Sequence, residues 1–254
     1  MFPQWLNELF PVDESGPCAE LARHIANKDC VTTCFWSARE IASATTNLVC
    51  HPCNTGWMSR LERRAKPVLR PLISGKGRRL NLGEQLLMST WAAKTAIVIE
   101  ATLSLPEDNF TTSECEVVMC DDRPPASIEI DVSGVQGPIA PMSYACAKVM
   151  MTVGEESIMK LHFHTVQVGA LVFSILRRDP PPSNYGSLER IAVPREVELP
   201  FDVATKIFPP RGACQWPPAR VLEWAPLVEM TKRGLDMPIE WAPPDPLAGP
   251  FQSR

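Results

Sequence analysis

The sequence predicts an α+β fold, with a cysteine-bearing, helix-rich N-terminal part followed by a mixed, mainly antiparallel β domain. Three observations carry this. Apolar residues recur at helical spacing over two long segments between residues 55 and 103. Polar and apolar residues alternate around His162 and His164, the two-residue period of a strand. Beyond residue 105, β-branched runs separated by prolines replace the helical spacing. The expected organisation is a first unit over 1–105, a second over 106–240 and a Pro-rich tail over 241–254.

Along the chain, Pro3 to Leu9 fits a short helix with Trp5, Leu6 and Leu9 on its apolar side. Glu20 to Lys28 is a second short helical candidate. Val31 to Trp36 and Thr45 to Val49 are β-branched and aromatic enough for strands, flanking a hairpin that delivers the chain to Cys50. Over Thr55 to Ser74, Met58, Leu61, Ala65, Val68, Leu69 and Leu72 fall on one helical arc. Arg60, Arg63, Arg64, Lys66 and Arg70 fall on the opposite arc. Pro67 lacks an N–H and is expected to end or kink that helix near Ala65, leaving a short continuation. Leu80, Asn81 and Leu82 lead into a long helix over Glu84 to Leu103, carrying Leu87, Trp91 and Ile99. Glu116 to Met119, Ser127 to Val132, Tyr144 to Val153 and Ile158 to Leu176 are β-rich. The proline clusters at 180–182, 209–210, 217–218 and 243–244 imply extended, loop-rich structure, ending in an irregular or disordered tail after Trp241.

Composition bounds the function. With 45% hydrophobic and 21% charged residues in 254, a packed core is expected. A formal net charge of -4 excludes a uniformly basic surface. The charge is uneven, however: between Ser59 and Arg79 stand eight basic residues and one acid, Glu62, so that segment carries +7 and the remainder -11. Such a local patch suits a phosphate-facing site. Nine cysteines, an odd number, do not form a secreted disulfide framework and point to a reducing, cytoplasmic setting. Met1-Phe2-Pro3-Gln4 does not open a secretory leader. The apolar run Trp91 to Leu105 is broken by Lys94 and Glu100, which argues against membrane insertion.

The sharpest local signal is Cys50-His51-Pro52-Cys53-Asn54 running into the basic helix. Two thiolates three residues apart bind one Zn²⁺ from a tight turn, but a structural zinc site needs four ligands. Cys30 and Cys34, spaced C-x-x-x-C, are the candidate second pair, with Cys18 a weaker option. The bland alternative for Cys30 and Cys34 is two small buried hydrophobes, and for Cys50 and Cys53 a reduced turn with buried thiols.

The run Val49-Cys50-His51-Pro52-Cys53-Asn54-Thr55-Gly56-Trp57-Met58 resembles a bacterial group of HNH-endonuclease-like (ββα-metal) proteins, which carry C-x-x-C-N-x-G-W-M between a hairpin and a helix. The likeness continues through Ala65-Lys66-Pro67, Pro71-Leu72-Ile73 and Trp91 to Ala96, and is weaker at Gly169 to Phe173 and Gln215 to Pro218. In that group an earlier C-x-x-C and a Glu-His or Asp-His pair precede a segment matching Phe2-Pro3-Gln4-Trp5-Leu6, so the register places them ahead of Met1. Intact retention of Phe2 to Leu6 favours a start further upstream, and the chain as written is expected to be a poor or inactive nuclease.

What the resemblance implies is an N-terminal ββα-metal module performing metal-dependent phosphodiester hydrolysis, DNA being the expected substrate. A catalytic Mg²⁺ or Mn²⁺ stabilises charge on the phosphate, a His activates water, and a separate structural Zn²⁺ pins the module. Asn54 matches the helix-head metal position. Asn47 is the candidate for orienting the base, although the commoner spacing falls on Thr45 and an ordinary turn residue is the alternative. The base itself has no match. His51 lies in the knuckle, His24 is a remote substitute, and His162 and His164 fit core or surface positions better than a second site. Arg60, Arg63, Arg64, Lys66 and Arg70 are the candidate nucleic-acid contacts, against the commoner alternative of a solvated charged face. A non-catalytic, zinc-containing nucleic-acid-binding or interaction protein is the alternative function.

Overall fold

The structure, a computed structural model, describes residues 4–6, 8–10, 19–26, 31–38, 49–103, 110–136, 142–153, 156–179, 204–218 and 222–223. It is an α+β fold. A short 3₁₀ turn at Gln4–Leu6 precedes β1 (Ala19–Ala26) and β2 (Val31–Ala38). A helical stretch follows, made of α1 (His51–Cys53), a π turn (Asn54–Met58) and α2 (Ser59–Ile73). Then come β3 (Arg78–Leu80), α3 (Leu82–Leu103) and α4 (Thr112–Asp121). The remaining strands are β4 (Ile128–Gln136), β5 (Met142–Val153), β6 (Glu156–Val168), β7 (Leu171–Arg178), β8 (Thr205–Phe208), β9 (Cys214–Trp216) and β10 (Leu222–Glu223).

Eight strands form one sheet in the order β1-β2-β5-β6-β7-β4-β10, with β8 also on β4. Its pairings are antiparallel except β10 on β4. The sheet is therefore mixed and mainly antiparallel, as the alternation in the sequence predicts. It draws β1 and β2 from before the cysteine motif and the rest from beyond residue 105, so strands from both sides of that boundary share one sheet.

Several expectations are corrected. Glu20 to Lys28 is not a helix: Ala19–Ala26 pairs residue by residue with β2, and sheet pairing overrides the helix-forming tendency of its Ala, Glu, Leu and Arg. Both edges of β2 are taken, by β1 and β5. Thr45 to Leu48 lie outside the described residues, as do 180–203 and the tail from 224. Glu116 to Met119 is helical, not β. Thr111 and Glu114 form a capping box in which Glu114 N–H donates to Thr111 Oγ1 (3.3 Å) and Thr111 N–H to Glu114 Oε2 (2.8 Å). The β-rich reading of 158–176 holds, as two strands joined by a turn at Gly169 and Ala170.

Pro67 does not end α2. The helix continues through both Pro67 and Pro71 to Ile73. Each proline withholds a helix hydrogen bond at a cost of ~3 kcal/mol. Burial of Leu61, Val68, Leu69, Leu72 and Ile73 offsets this, at ~1.5–3 kcal/mol for each large side chain. Pro67 and Arg63, whose carbonyl loses its partner, are both exposed. Gly75 then closes the helix at φ 78°, donating to Leu72 O (2.9 Å) while Lys76 N–H reaches Pro71 O (2.8 Å).

The core lies between these helices and the sheet. Met88, Trp91, Ala92, Ala93, Ala96 and Ile99 of α3 are fully buried, with Trp91 against Phe173 of β7 at 5.9 Å between ring centroids. Asn81 and Glu84 cap its start reciprocally, and buried Gln85 donates to Leu80 O (3.1 Å) and Gly212 O (2.7 Å), tying the β8–β9 loop to the helix. The β6–β7 turn docks on the end of α2, where Ala170 N–H donates to Ile73 O at 3.0 Å. Gly169, at φ 55°, is required there because a Cβ would stand 2.6 Å from Ile73 O. No described helix is long and apolar enough to cross a membrane.

Two buried ion pairs complete the interior. Lys94 of α3 meets Glu62 of α2, whose second oxygen accepts from Trp91 Nε1 at 2.7 Å. Arg177 Nε donates to both oxygens of Glu114 at 3.0 Å. Burial pushes the Glu114 carboxyl up, but the hydrogen bonds from Arg177, Ser127 and Thr111 outweigh it and leave its pKa below the usual value. Glu129 is lowered in the same way, burial being overcome by Lys206 and Arg178.

Glu62→Ala is expected to cost ~3–5 kcal/mol in urea unfolding, because it strands a buried ammonium. Glu62→Leu combined with Lys94→Met is expected to recover most of that loss. Carboxyls lowered by folding stabilise above their unfolded pKa of ~4.3 and lose that contribution as pH falls through the folded value. The unfolding midpoint is therefore expected to drop below about pH 5, and Glu114→Gln to flatten that acid limb.

Candidate functional site

The cysteine motif occupies the head of the helical stretch. Cys50 is extended (φ -63°, ψ 150°) and acts as the N-cap, its Sγ accepting from Cys53 N–H at 3.4 Å. Pro52, in the first turn, has no N–H to compete. Asn54 N–H donates to Cys50 O (3.0 Å) and Thr55 Oγ1 to His51 O (2.9 Å), so one closed turn presents both sulfurs. Gly56 departs from helical geometry (φ -88°, ψ -109°), which separates this turn from α2.

Cys50 is exposed and Cys53 half-buried. Donation from the Cys53 thiol, and then from its N–H, lowers the Cys50 pKa, while holding that proton raises Cys53. Soft sulfurs offered from one turn fit half of a tetrahedral Zn²⁺ site. The expected second half is not brought to them among the described residues. Cys30 lies outside those residues, and Cys34 falls within β2, in register with Cys146 of β5 and Arg23 of β1. No three His, Cys, Asp or Glu side chains cluster as a metal site among the described residues.

Asn54 is exposed at the head of the π turn, beside Cys53 and open to a ligand. Asn47 and Thr45 lie outside the described residues. His51 is exposed and faces solvent. His24 sits on β1, not on a helix. His162 and His164 are core residues: His162 Nε2 is 3.3 Å from Asp179, and His164 Nδ1 is 2.7 Å from the Tyr144 hydroxyl. Phe110 stacks on His164 at 5.1 Å.

The five basic candidates divide into two groups. Arg64 pairs with Asp122 at the end of α4, while Lys66 and Arg70 share Glu8, each at 3.3 Å. Lys66 also lies 5.9 Å above the Trp5 ring. Arg60 and Arg63 are exposed and carry no acidic partner among the described residues. The face predicted to meet phosphate is thus partly neutralised toward its far end and open at its near end. Sequence reasoning missed Glu62 as a buried anchor; its signal was a single acid in a basic segment, beside the apolar Leu61 and Ala65.

Comparison with known proteins finds no match, whether with family models, curated proteins or solved structures. The site therefore stands on its own geometry. In metal-free protein, iodoacetamide is expected to label Cys50 before Cys53, and Cys146, buried on β5, only on unfolding. Peptide mapping over a time course checks the order.

Proposed function

We propose that this chain is an HNH-endonuclease-like protein that binds nucleic acid, DNA being the expected partner, at the head of α2. The observation that carries the reading is the pair of exposed arginines, Arg60 and Arg63, standing without acidic partners among the described residues and seven and ten residues beyond Cys53, ~10–15 Å of helical rise. Arg64, Lys66 and Arg70 are engaged with acids and contribute less. Cys50 and Cys53 would hold a structural Zn²⁺ that braces the turn. Asn54, exposed beside them, would help hold a divalent ion; Mg²⁺ or Mn²⁺ would supply charge stabilisation at the scissile phosphate. Among the described residues, no imidazole other than exposed His51 stands at this turn, and this favours the non-catalytic binding reading as the second possibility.

Binding to a short DNA duplex is expected to weaken with salt at a slope of about -0.9 per neutralised phosphate. Arg60→Ala and Arg63→Ala should each flatten the slope by ~1, whereas Arg64→Ala changes it less. A salt-independent affinity counts against the site. Plasmid nicking with Mg²⁺ or Mn²⁺, abolished by Asn54→Ala, would establish hydrolysis; binding without nicking leaves the non-catalytic reading. Zinc content of the purified protein, and its loss in Cys50→Ser, tests the zinc assignment.

A further inference from the structure

On β3 and the loop before it stand the three basic residues of the +7 segment that α2 does not carry: Lys76, Arg78 and Arg79. Register sorts them. Arg78 and Leu80 pair with Trp216 and Cys214 of β9, whereas Arg79 pairs with Gln215. Alternation sets Arg79 and Gln215 on one face of this two-stranded ribbon, and both are exposed; Leu80 and Trp216, on the other face, are buried. Arg78 is taken by Glu84 at the start of α3. Arg79 has a neutral amide across from it, with Cβ atoms ~4.5–5.5 Å apart. A further cation comes from the β8–β9 loop, where Arg211 is exposed. Gln85, fully buried in the first turn of α3, donates from Nε2 to Leu80 O at 3.1 Å and to Gly212 O at 2.7 Å. Leu80 and Gly212 each follow an exposed arginine by one position, so a single amide holds the backbones beside Arg79 and Arg211 together. The Lys76 N–H on Pro71 O (2.8 Å) fixes the exposed Lys76 where α2 ends. Gly77 lies so close to β9 that a Cβ there would stand 3.3 Å from Trp216 O. Residues 74–80 and 209–218 contain no Asp or Glu. Cations held together on anchored backbone raise the local positive potential, which a polyanion relieves.

We propose that the exposed face of the β3–β9 ribbon is a second contact for the sugar–phosphate backbone of nucleic acid, made by Lys76, Arg79 and Arg211. The arginines present planar guanidinium forks that match phosphate oxygens, and the lysine adds a point charge. All three are exposed, which suits a continuous backbone with regularly spaced phosphates more than a single enclosed anion. Contacts of this kind position the chain on nucleic acid and add affinity without sequence preference. The proposal rests on the nucleic-acid reading of α2 and extends it: the chain holds its partner at the head of α2 and again at the ribbon that follows its C-terminal end.

The test is fluorescence anisotropy of a labelled DNA duplex of about two helical turns, ~20 base pairs, with the full chain, read as affinity against salt. Arg79→Ala and Arg211→Ala, both at exposed positions, should each flatten the slope of log affinity against log salt by ~0.9. A fourfold rise in salt then costs each variant about 3.5-fold less affinity than it costs the unsubstituted chain. Arg79→Lys keeps the charge and the slope. Unchanged slopes in both alanine variants overturn the proposal, and leave the α2 reading standing where Arg60→Ala and Arg63→Ala flatten theirs. An equal change in Arg123→Ala, which removes one charge beside Asp121, marks a general charge effect and also overturns it. Slopes flattened by the ribbon variants alone support the ribbon and remove the helix-head site. A chain that binds no duplex overturns both.

Discussion

Lys94 sits in the middle of a helix that the core encloses on nearly every side, and an ammonium there must have a carboxylate. Glu62 supplies it from α2, and its second oxygen takes the Trp91 indole N–H at 2.7 Å. A buried charge that loses its partner costs several kcal/mol, so α2 has one favourable register on α3. That register decides which side of α2 faces solvent. Leu61, Ala65, Leu69 and Leu72 turn inward with Glu62, and Arg60 and Arg63 are left outside.

The far end of α2 is held just as firmly. Its last carbonyls are taken by Gly75, Lys76 and the Ala170 N–H of the β6–β7 turn, and Gly169 lets that turn approach. Two internal prolines therefore do not break the helix, since anchors on both sides outweigh the missing hydrogen bonds. The opposite side of the fold repeats the device. Glu114 caps α4 through Thr111 and also receives Arg177 of β7, so one carboxylate fixes a helix start and a helix–sheet contact. With α2 clamped at its middle and its end, its head is a rigid mount.

Much of this was legible in the residues. The apolar arc of α2, the long α3 and the antiparallel run from β4 to β7 follow from spacing, because each buries one consistent face or pairs by alternation. Other elements were not. Ala19–Ala26 has helix-forming residues, and only its pairing with β2 makes it a strand. Residues 116–119 look β-branched, but the Thr111–Glu114 cap just ahead of them commits them to helix. Of the five basic site candidates, the sequence showed a common face but not that Asp122 and Glu8 would occupy three of them, since those acids arrive from elsewhere in the chain.

The opening feature of the site, Cys50 to Asn54, was determined by sequence alone: two thiols one turn apart, a proline in the first turn with no N–H to compete for the first sulfur, and an Asn at the helix head. Local geometry follows local spacing, so no distant residue was needed to read it. What only the tertiary structure decided is the company this turn keeps. Cys34 goes to the sheet beside Cys146, His162 and His164 go into the core, and Glu62 turns inward to Lys94. Those outcomes depend on strand register and on the need of a buried charge for its partner, and neither is written in the neighbourhood of the motif.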